Sequence, residues 1–458
     1  MKPSTPDSSD GKPVFDLAPQ YVDENVLGRT AAAVAERVPV ETTSAPTVRS
    51  RVSGLYVWMI VIATFGGFVA LVAPIAISLA IRVQALEPAH EEYLGFIVGI
   101  GAAVPVLAGP LVGIWSDRTR SRFGRRNPFL IGGAVVGTVS LFVMAAATNI
   151  VELGIGWCLA QLGWGTVLVI LTVVQADKLP EEQRGRVAGL VGFTQMVAPV
   201  LGAGIASTLV ANSYLLFLVP GAFGVVGILL FVLVVKDPDT RELAAPSGRF
   251  GSVLRKYLYS PRKYKDFSWN WLARLLFNFG VTFNTTFTLF FITSRTGGTI
   301  ADFAPFVAIL GLGGVLAAAV GALGGGFLSD RLKRRRVFVL AAGVLFTIGA
   351  LLMAFSSDLT TILVGTMITN VGLGAFSAVD QALLLDVLPE RDTDAGRFMG
   401  INGFSTSLAQ AIAPVLAPAI LLIGVTGSDK NYTLLYVIAA AFTLVGGAIV
   451  VFKVKGTR

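Results

Sequence analysis

The chain has 458 residues, of which 54% are hydrophobic and 14% charged, against about 25% charged in an average soluble domain, so lipid is the solvent for most of it. One cysteine, Cys158, and one histidine, His90, exclude a disulfide framework, a thiolate metal site and a cluster of histidine ligands. The net charge of +8 lies between apolar runs with no aromatic-interleaved basic domain, which sets nucleic acid aside and makes the charge topological.

Residues 1–52 are rich in Ser, Thr, Pro and Asp and lack an apolar h-region; they read as a disordered tail, with the first span serving as insertion signal. Apolar runs follow at 54–81, 93–115, 128–148, 151–176, 187–210 and 214–235, then at 267–293, 303–328, 337–355, 359–385, 398–424 and 432–452, most of them long enough to cross about 30 Å of hydrocarbon. Twelve spans, six on each side of a polar segment at 236–266, predict an all-α membrane protein. Its parts are an N-terminal six-helix bundle over 53–235, a linker over 236–266 and a C-terminal bundle over 267–458. Of 36 Lys and Arg, 32 fall in the two terminal segments, the linker and alternate connections, while Arg82, Arg295 and Lys430 stand on the opposite side and Arg274 lies inside a span. The positive-inside rule then places both termini and the linker in the cytoplasm, for a multi-pass protein of a plasma or inner membrane.

The halves repeat. "GIWSDR" from Gly113 to Arg118 returns as "GFLSDR" from Gly326 to Arg331, each closing the second span of its half. The "GWG" at Gly163 matches "GLG" at Gly372, and Asp177, Pro180 and Glu181 match Asp386, Pro389 and Glu390. After a two-residue insertion Gly185, Arg186, Gly189, Gly192 and Phe193 match Gly396, Arg397, Gly400, Gly403 and Phe404. Two six-helix halves in one orientation describe a transporter with its site at the bundle interface. Asp117 closes a helix at its carboxyl end, where the macrodipole disfavours an anion. Its expected compensation is the amino end of the eleventh span near Arg397, together with arginines of its own loop. Asp330 is expected to face the fifth span near Arg186, and Gly113 to permit close helix approach. Asp177 and Asp386, with Arg186 and Arg397 after them, read as a second charge network at the membrane surface.

The loop "GIWSDRTRSRFGRR" resembles the signature of the Major Facilitator Superfamily, usually written G-x-x-x-D-R-x-G-R-R/K. Gly113, Asp117 and Arg118 match its first half, and Gly124, Arg125 and Arg126 its second after an inserted "TRSR". That lengthened form resembles the sucrose and glycoside-pentoside-hexuronide branch. The resemblance covers the chain from about residue 53 onward. It implies that these loops latch the outward-facing state, and that the first, fourth, seventh and tenth spans line a cavity. The competing reading leaves the arginines with orientation alone. The second copy, "SDRLKRRR", lacks the glycine and the insertion, which weighs against a symmetric role.

Ionisable groups inside a span are costly and are functional candidates by default. Arg274 and Asp380 lie at matching depth in the seventh and tenth spans and are expected to pair, either to couple transport to protons through Asp380 or as a static tie. Helical spacing aligns Arg274, Asn278, Thr282 and Thr285 on one face, and Thr366, Asn370, Ser377 and Gln381 on another. In the first half Gln161, Trp164, Leu168, Thr172 and Gln175 share a face of the fourth span, and Gln195 sits in the fifth. Amides beside an aromatic plane suit hydroxyl-rich solutes, although for Trp164 alone packing or a lipid-facing place is the simpler role. Against the resembled branch, the fourth span carries acids only at its ends, Glu152 and Asp177, which disfavours sodium coupling and puts the weight of any proton coupling on Asp380.

The expectation is a secondary active transporter of a small polar solute, a sugar or glycoside, coupled to protons, embedded in the bilayer and working as a monomer. The alternatives are an exporter of drugs or metabolites with the same fold and a membrane sensor that transports nothing. No nucleophile–base or metal constellation is visible, so neither catalysis nor a metal or other cofactor is expected.

Overall fold

The computed structural model describes residues 51–235, 237, 239–241, 259–390, 395–425 and 430–455. The expected disordered tail up to residue 50 and most of the linker lie outside these residues. Among the described residues every regular element is helical. In chain order they are α1 Gly54–Leu86, α2 Tyr93–Arg118, α3 Asn127–Ala146, α4 Ile150–Lys178, α5 Glu181–Ser207, α6 Ser213–Val234, a bent α7 made of Lys265–Thr286 and Thr288–Thr296, α8 Ile300–Leu332, α9 Arg335–Ala354, α10 Leu359–Val387, α11 Ala395–Leu421 and α12 Tyr432–Lys453. Eleven are long and apolar enough to cross a membrane, and α7, bent by 48°, brings the number to twelve if it is one span.

Local chemistry sets these boundaries. Chain direction alternates, so even-numbered helices start at the end of the molecule opposite the arginine-rich loops. Most of those starts are capped by short side chains. Asn149, Asn212, Asp358 and Asn431 accept from the first-turn amides of α4, α6, α10 and α12, and Thr299 with Asp302 forms a capping box on α8. Pro74 interrupts α1 with one π turn, in which the Leu79 N–H reaches back to the Pro74 carbonyl, the usual accommodation of a residue that cannot donate.

The packing repeats six helices apart. α3 lies on α4 and α6, α1 on α5 and α6, and α2 on α4; α9 likewise lies on α10 and α12, α7 on α11 and α12, and α8 on α10. Lipid offers no hydrophobic drive between helices, so close backbone approach carries the association. Gly163 abuts the α3 backbone, where an added Cβ would stand 2.8 Å from the Gly133 carbonyl. Its repeat mate Gly372 meets α9 in the same way, 2.8 Å from the Phe346 nitrogen.

The two groups of helices touch chiefly through α2 with α11 and α5 with α8. These contacts lie at the end away from the arginine-rich loops, here the far end. A Cβ on Gly95 would meet the Phe287 ring at 3.0 Å, and one on Gly99 the Ala411 carbonyl at 2.7 Å. Toward the basic end Gly113, Gly189, Gly192, Gly324 and Gly403 have nothing within 4 Å of an added Cβ. The molecule is closed at the far end and parted at the basic end, so Gly113 faces open space instead of the expected neighbouring helix.

A polar clasp completes the far-end closure. Lys430, before α12, pairs with Glu92, before α2, at 2.9 Å, with their side chains 8% and 13% exposed. The Tyr432 hydroxyl donates to Glu91, and His90 Nδ1 lies 3.0 Å from Glu92 Oε1. Burial pushes the Glu92 carboxyl up, but hydrogen bonds from Lys430 and His90 outweigh it and hold the pKa below the ordinary value. Glu91 is shifted the other way, raised by burial against the opposing Tyr432 bond.

Two predictions follow from this packing. A pKa lowered by closure means that ionised Glu92 favours the closed end at pH above its ordinary value of about 4.3, and that this support is lost as pH falls through the lowered value. The raised pKa of Glu91 gives closure a preference for its protonated form, lost as pH rises through the raised value. At pH 7 Glu92→Gln should therefore open the far end by roughly tenfold or more in population, because it strands a nearly buried ammonium, whereas Glu91→Gln should tighten it; spin-label distances between Glu87→Cys and Val425→Cys measure both. Gly163→Val and Gly372→Val should each lower the thermal midpoint of the purified protein by several degrees, since the facing backbone cannot retreat.

Candidate functional site

Beneath the far-end closure, between the two groups of helices, lies a cavity of 780 Å³. Its walls differ. The α1 wall is apolar, with Phe68, Leu71, Val72 and Ile75. The α7 wall is polar, with Asn278, Thr282, Thr285, Thr286 and Thr288, and α10 continues it with Thr366 and Asn370. Gln161 from α4, Gln195 from α5 and Gln410 with Ser407 from α11 also face the space. Among the described lining residues there is no Asp, Glu, Lys or Arg, so the cavity is uncharged, with its hydroxyls and amides gathered mainly on α7 and α10 and most of the remaining lining apolar.

Of the expected solute-facing residues, Gln161, Gln195, Asn278 and Asn370 line this space, and Trp164, Gln381 and Arg274 do not. Trp164 is fully buried inside the first group of helices, its ring wedged where α3 and α6 present Gly137 and Gly224; a Cβ on either would come within 2.7 Å of the ring. An indole of that volume fits only because both neighbours lack a side chain, so its role there is packing. Thr172 donates to the Leu168 carbonyl at 2.9 Å and Gln175 to the Leu171 carbonyl at 3.2 Å, leaving Gln161 as the member of the α4 stripe that reaches the cavity. Ser377 and Gln381 are exposed on α10 nearer its basic end. The spacing misses Ser407, Gln410, Thr286 and Thr288: the first two sit on an α11 face also rich in alanine, and the last two flank the bend of α7 at Phe287.

Just outside the polar wall, toward the basic end, Arg274 Nη1 bonds Asp380, which is 1% exposed. The Arg274 Nε donates to Thr406 Oγ1 on α11 at 3.3 Å, so one guanidinium ties α7, α10 and α11 together. Asn270, one turn earlier on α7, is fully buried with its amide beside Asp380. Asn278 Nδ2 donates to the Arg274 backbone carbonyl at 2.8 Å, which places the ion pair one helical turn from the cavity wall.

At the basic end, Arg126 is 5% exposed and bridges Asp117 and Asp177, each at 2.7 Å, with Ser116 Oγ at 2.6 Å. Arg125 approaches Asp177 at 3.9 Å. In the second half Arg335 bridges Asp386 at 2.6 Å and Asp330 at 3.2 Å. The two loops of unequal length thus build the same acid–arginine–acid bridge, and the second copy's lack of glycine and insertion does not remove the symmetry. Asp117 therefore pairs with Arg126, an arginine of its own loop as expected, and Asp330 with Arg335; among the described residues no ion pair joins Asp117 to Arg397 or Asp330 to Arg186, the partners expected across the parted basic end. Arg118 and Arg331 occupy the last turns of α2 and α8, favourable for a cation at a helix carboxyl end, and Arg186 is exposed on α5. The inserted loop has its own partner. Gly124, at φ 83°, turns the chain so that the Arg126 amide donates to Asp237 at 3.0 Å and the Ser121 amide to Thr240 Oγ1 at 3.3 Å, docking the start of the linker.

The family model described as the Major Facilitator Superfamily matches residues 55–324 and 307–458. The quinolone resistance protein NorA of Staphylococcus aureus (strain COL) is 23% identical over 332 residues, 71% of this chain and 80% of that protein. A crystal structure of a mutant of the nucleoside transporter NupG superposes with a TM-score of 0.71 at 11% identity, covering 87% of this chain and all of that one. The D-xylose–proton symporter superposes with a TM-score of 0.68 at 16% identity, covering 88% of this chain and 99% of that one. With twelve helical segments among the described residues in two matching sixes around an uncharged cavity, and a family model spanning nearly the whole described chain, this protein belongs to the Major Facilitator Superfamily of membrane transporters.

Proposed function

We propose that the protein is a secondary active transporter that carries a small uncharged polar solute, a sugar or glycoside, by alternating access and in symport with protons. The observation that carries this reading is the cavity wall of hydroxyls and amides without a charged lining residue: an anionic or cationic solute would find no counter-charge there, whereas hydroxyl groups find partners. The likeness to the D-xylose–proton symporter and the lengthened loop after α2 point the same way. The lysine and arginine bias puts the basic end in the cytoplasm of a plasma or inner membrane, so the described state faces inward, with the two six-helix groups as the rocking bodies and one chain sufficient for transport.

Asp380 is the coupling group in this reading. Its proton uptake would release the Arg274 side chain, one helical turn from Asn278 of the solute wall. The latch reading of the loops becomes an exchange: Asp117 and Asp330 pair with Arg126 and Arg335 when the basic end is open, and turn to the amino ends of α11 and α5 when it closes. One observation favours export of an amphipathic compound instead, namely the apolar α1 wall, which agrees with the similarity to NorA.

Uptake of labelled sugars and phenyl glycosides into proteoliposomes tests the reading. An inwardly directed gradient of one pH unit should drive up to about tenfold accumulation for one proton per solute, while accumulation of fluoroquinolones instead of sugars would replace this reading with the exporter. Asp380→Asn should abolish gradient-driven accumulation and keep solute exchange. Asp117→Asn should shift the balance between inward- and outward-facing forms by up to about fivefold, the scale of a half-exposed ion pair, read from spin-label distances across the basic end.

A further inference from the structure

The hydrogens of the polar wall are mostly spent before a solute arrives. Thr282, Thr285, Thr286 and Thr288 each donate their one hydroxyl hydrogen to a carbonyl of α7 itself, to Asn278 O at 2.8 Å, Val281 O at 3.0 Å, Thr282 O at 2.8 Å and Asn284 O at 2.8 Å. Thr366 does the same on α10, to Ile362 O at 2.8 Å. Asn278 and Asn370 turn their amide nitrogens onto the Arg274 and Thr366 carbonyls, both at 2.8 Å. These orientations are forced by chemistry: a carbonyl oxygen cannot donate, so the group facing it must. What remains toward the cavity is a row of hydroxyl oxygens and amide carbonyls with open lone pairs, against one further N–H on each of the two asparagines. An oxygen already donating is polarised into a better acceptor, and recalling its hydrogen for a solute would give up a bond worth about 1 kcal/mol.

We infer that the α7–α10 wall is an acceptor surface and that it selects the solute by its hydrogen-bond donors. This rests on the solute reading given above and narrows it. The solute turns a run of adjacent free hydroxyl groups to α7 and α10, and presents a donor-poor, apolar side to Phe68, Leu71 and Val72 across the cavity. Asn278 to Thr286 rises about 12 Å along the helix, long enough for one pyranose with a further group attached. Such a site favours a glycoside with an apolar aglycone over a sugar hydroxylated on every side. It also disfavours a solute of the same shape whose oxygens only accept, because lone pairs would then face lone pairs along the threonines of the wall.

The test pairs each parent with an analogue that keeps shape and loses donation. Phenyl β-glucoside, phenyl β-galactoside and phenyl β-xyloside are titrated against the purified full-length protein by thermal shift, beside their monodeoxyfluoro analogues, in which fluorine replaces one hydroxyl and cannot donate. At least one parent should bind, and its analogues fluorinated at wall-facing positions should bind about three- to tenfold more weakly per hydroxyl lost. Thr282→Val should weaken the parent by a similar factor and leave the affected analogue nearly unchanged, while Thr296→Val, the same change outside the cavity on a residue with the same bond to its own helix, should alter neither. Analogues binding within twofold of a parent that does bind would overturn the acceptor wall and leave the sugar reading standing. Failure of every parent to bind would overturn the sugar reading and this inference with it.

Discussion

Arg274 and Asp380 meet deep inside a bundle where the alternative to a partner is an unsolvated charge. Several features of the molecule fit around that pair. It joins three helices of the second group, and it sits one helical turn from Asn278 of the polar wall. Deleting one partner would leave an uncompensated buried charge at a cost of about 3–5 kcal/mol. A proton, by contrast, can remove the charge of Asp380 without removing the side chain, which makes the pair suitable as a reversible switch.

The same logic recurs at the two ends with less burial. At the basic end, each arginine of the Arg126 and Arg335 bridges holds two acids from neighbouring helices, so each group of helices compensates its own acids and ties its own helices while the groups stand apart. At the far end, the Lys430–Glu92 pair and the Tyr432–Glu91 bond connect the two groups. The basic-end bridges thus tie helices within one group, and the far-end pairs tie the groups to each other. Closure at one end and parting at the other leave the cavity reachable from the basic side, with its uncharged wall of threonines and asparagines as the surface that a solute meets.

Much of this was legible in the residues. Spans and their number followed from apolar length, and the repeated "GWG" and "GLG" correctly marked equivalent seams. The depth match of Arg274 with Asp380 identified the pair. Trp164 was misplaced because periodicity gives a face without saying what occupies it; Gly137 and Gly224, distant in sequence, open the slot that buries the ring. Gln381 was misplaced for a related reason, since a helical stripe continues past the cavity toward the basic end. The Arg335 bridge was hidden by a loop of different length, and the far-end clasp by its two short segments lying some 340 residues apart. The signal for the clasp was nevertheless present: few basic residues face the far end, and one of them, Lys430, has the acidic "EPAHEE" to answer it.

The central claim is that occupancy of the cavity and protonation of Asp380 are linked. Calorimetric titration of a bound phenyl glycoside in buffers of differing ionisation enthalpy counts the protons exchanged on binding. The account predicts a proton exchange of order one per solute near neutral pH in the natural protein and none in Asp380→Asn. No exchange in the natural protein, or the same exchange in the variant, would contradict it.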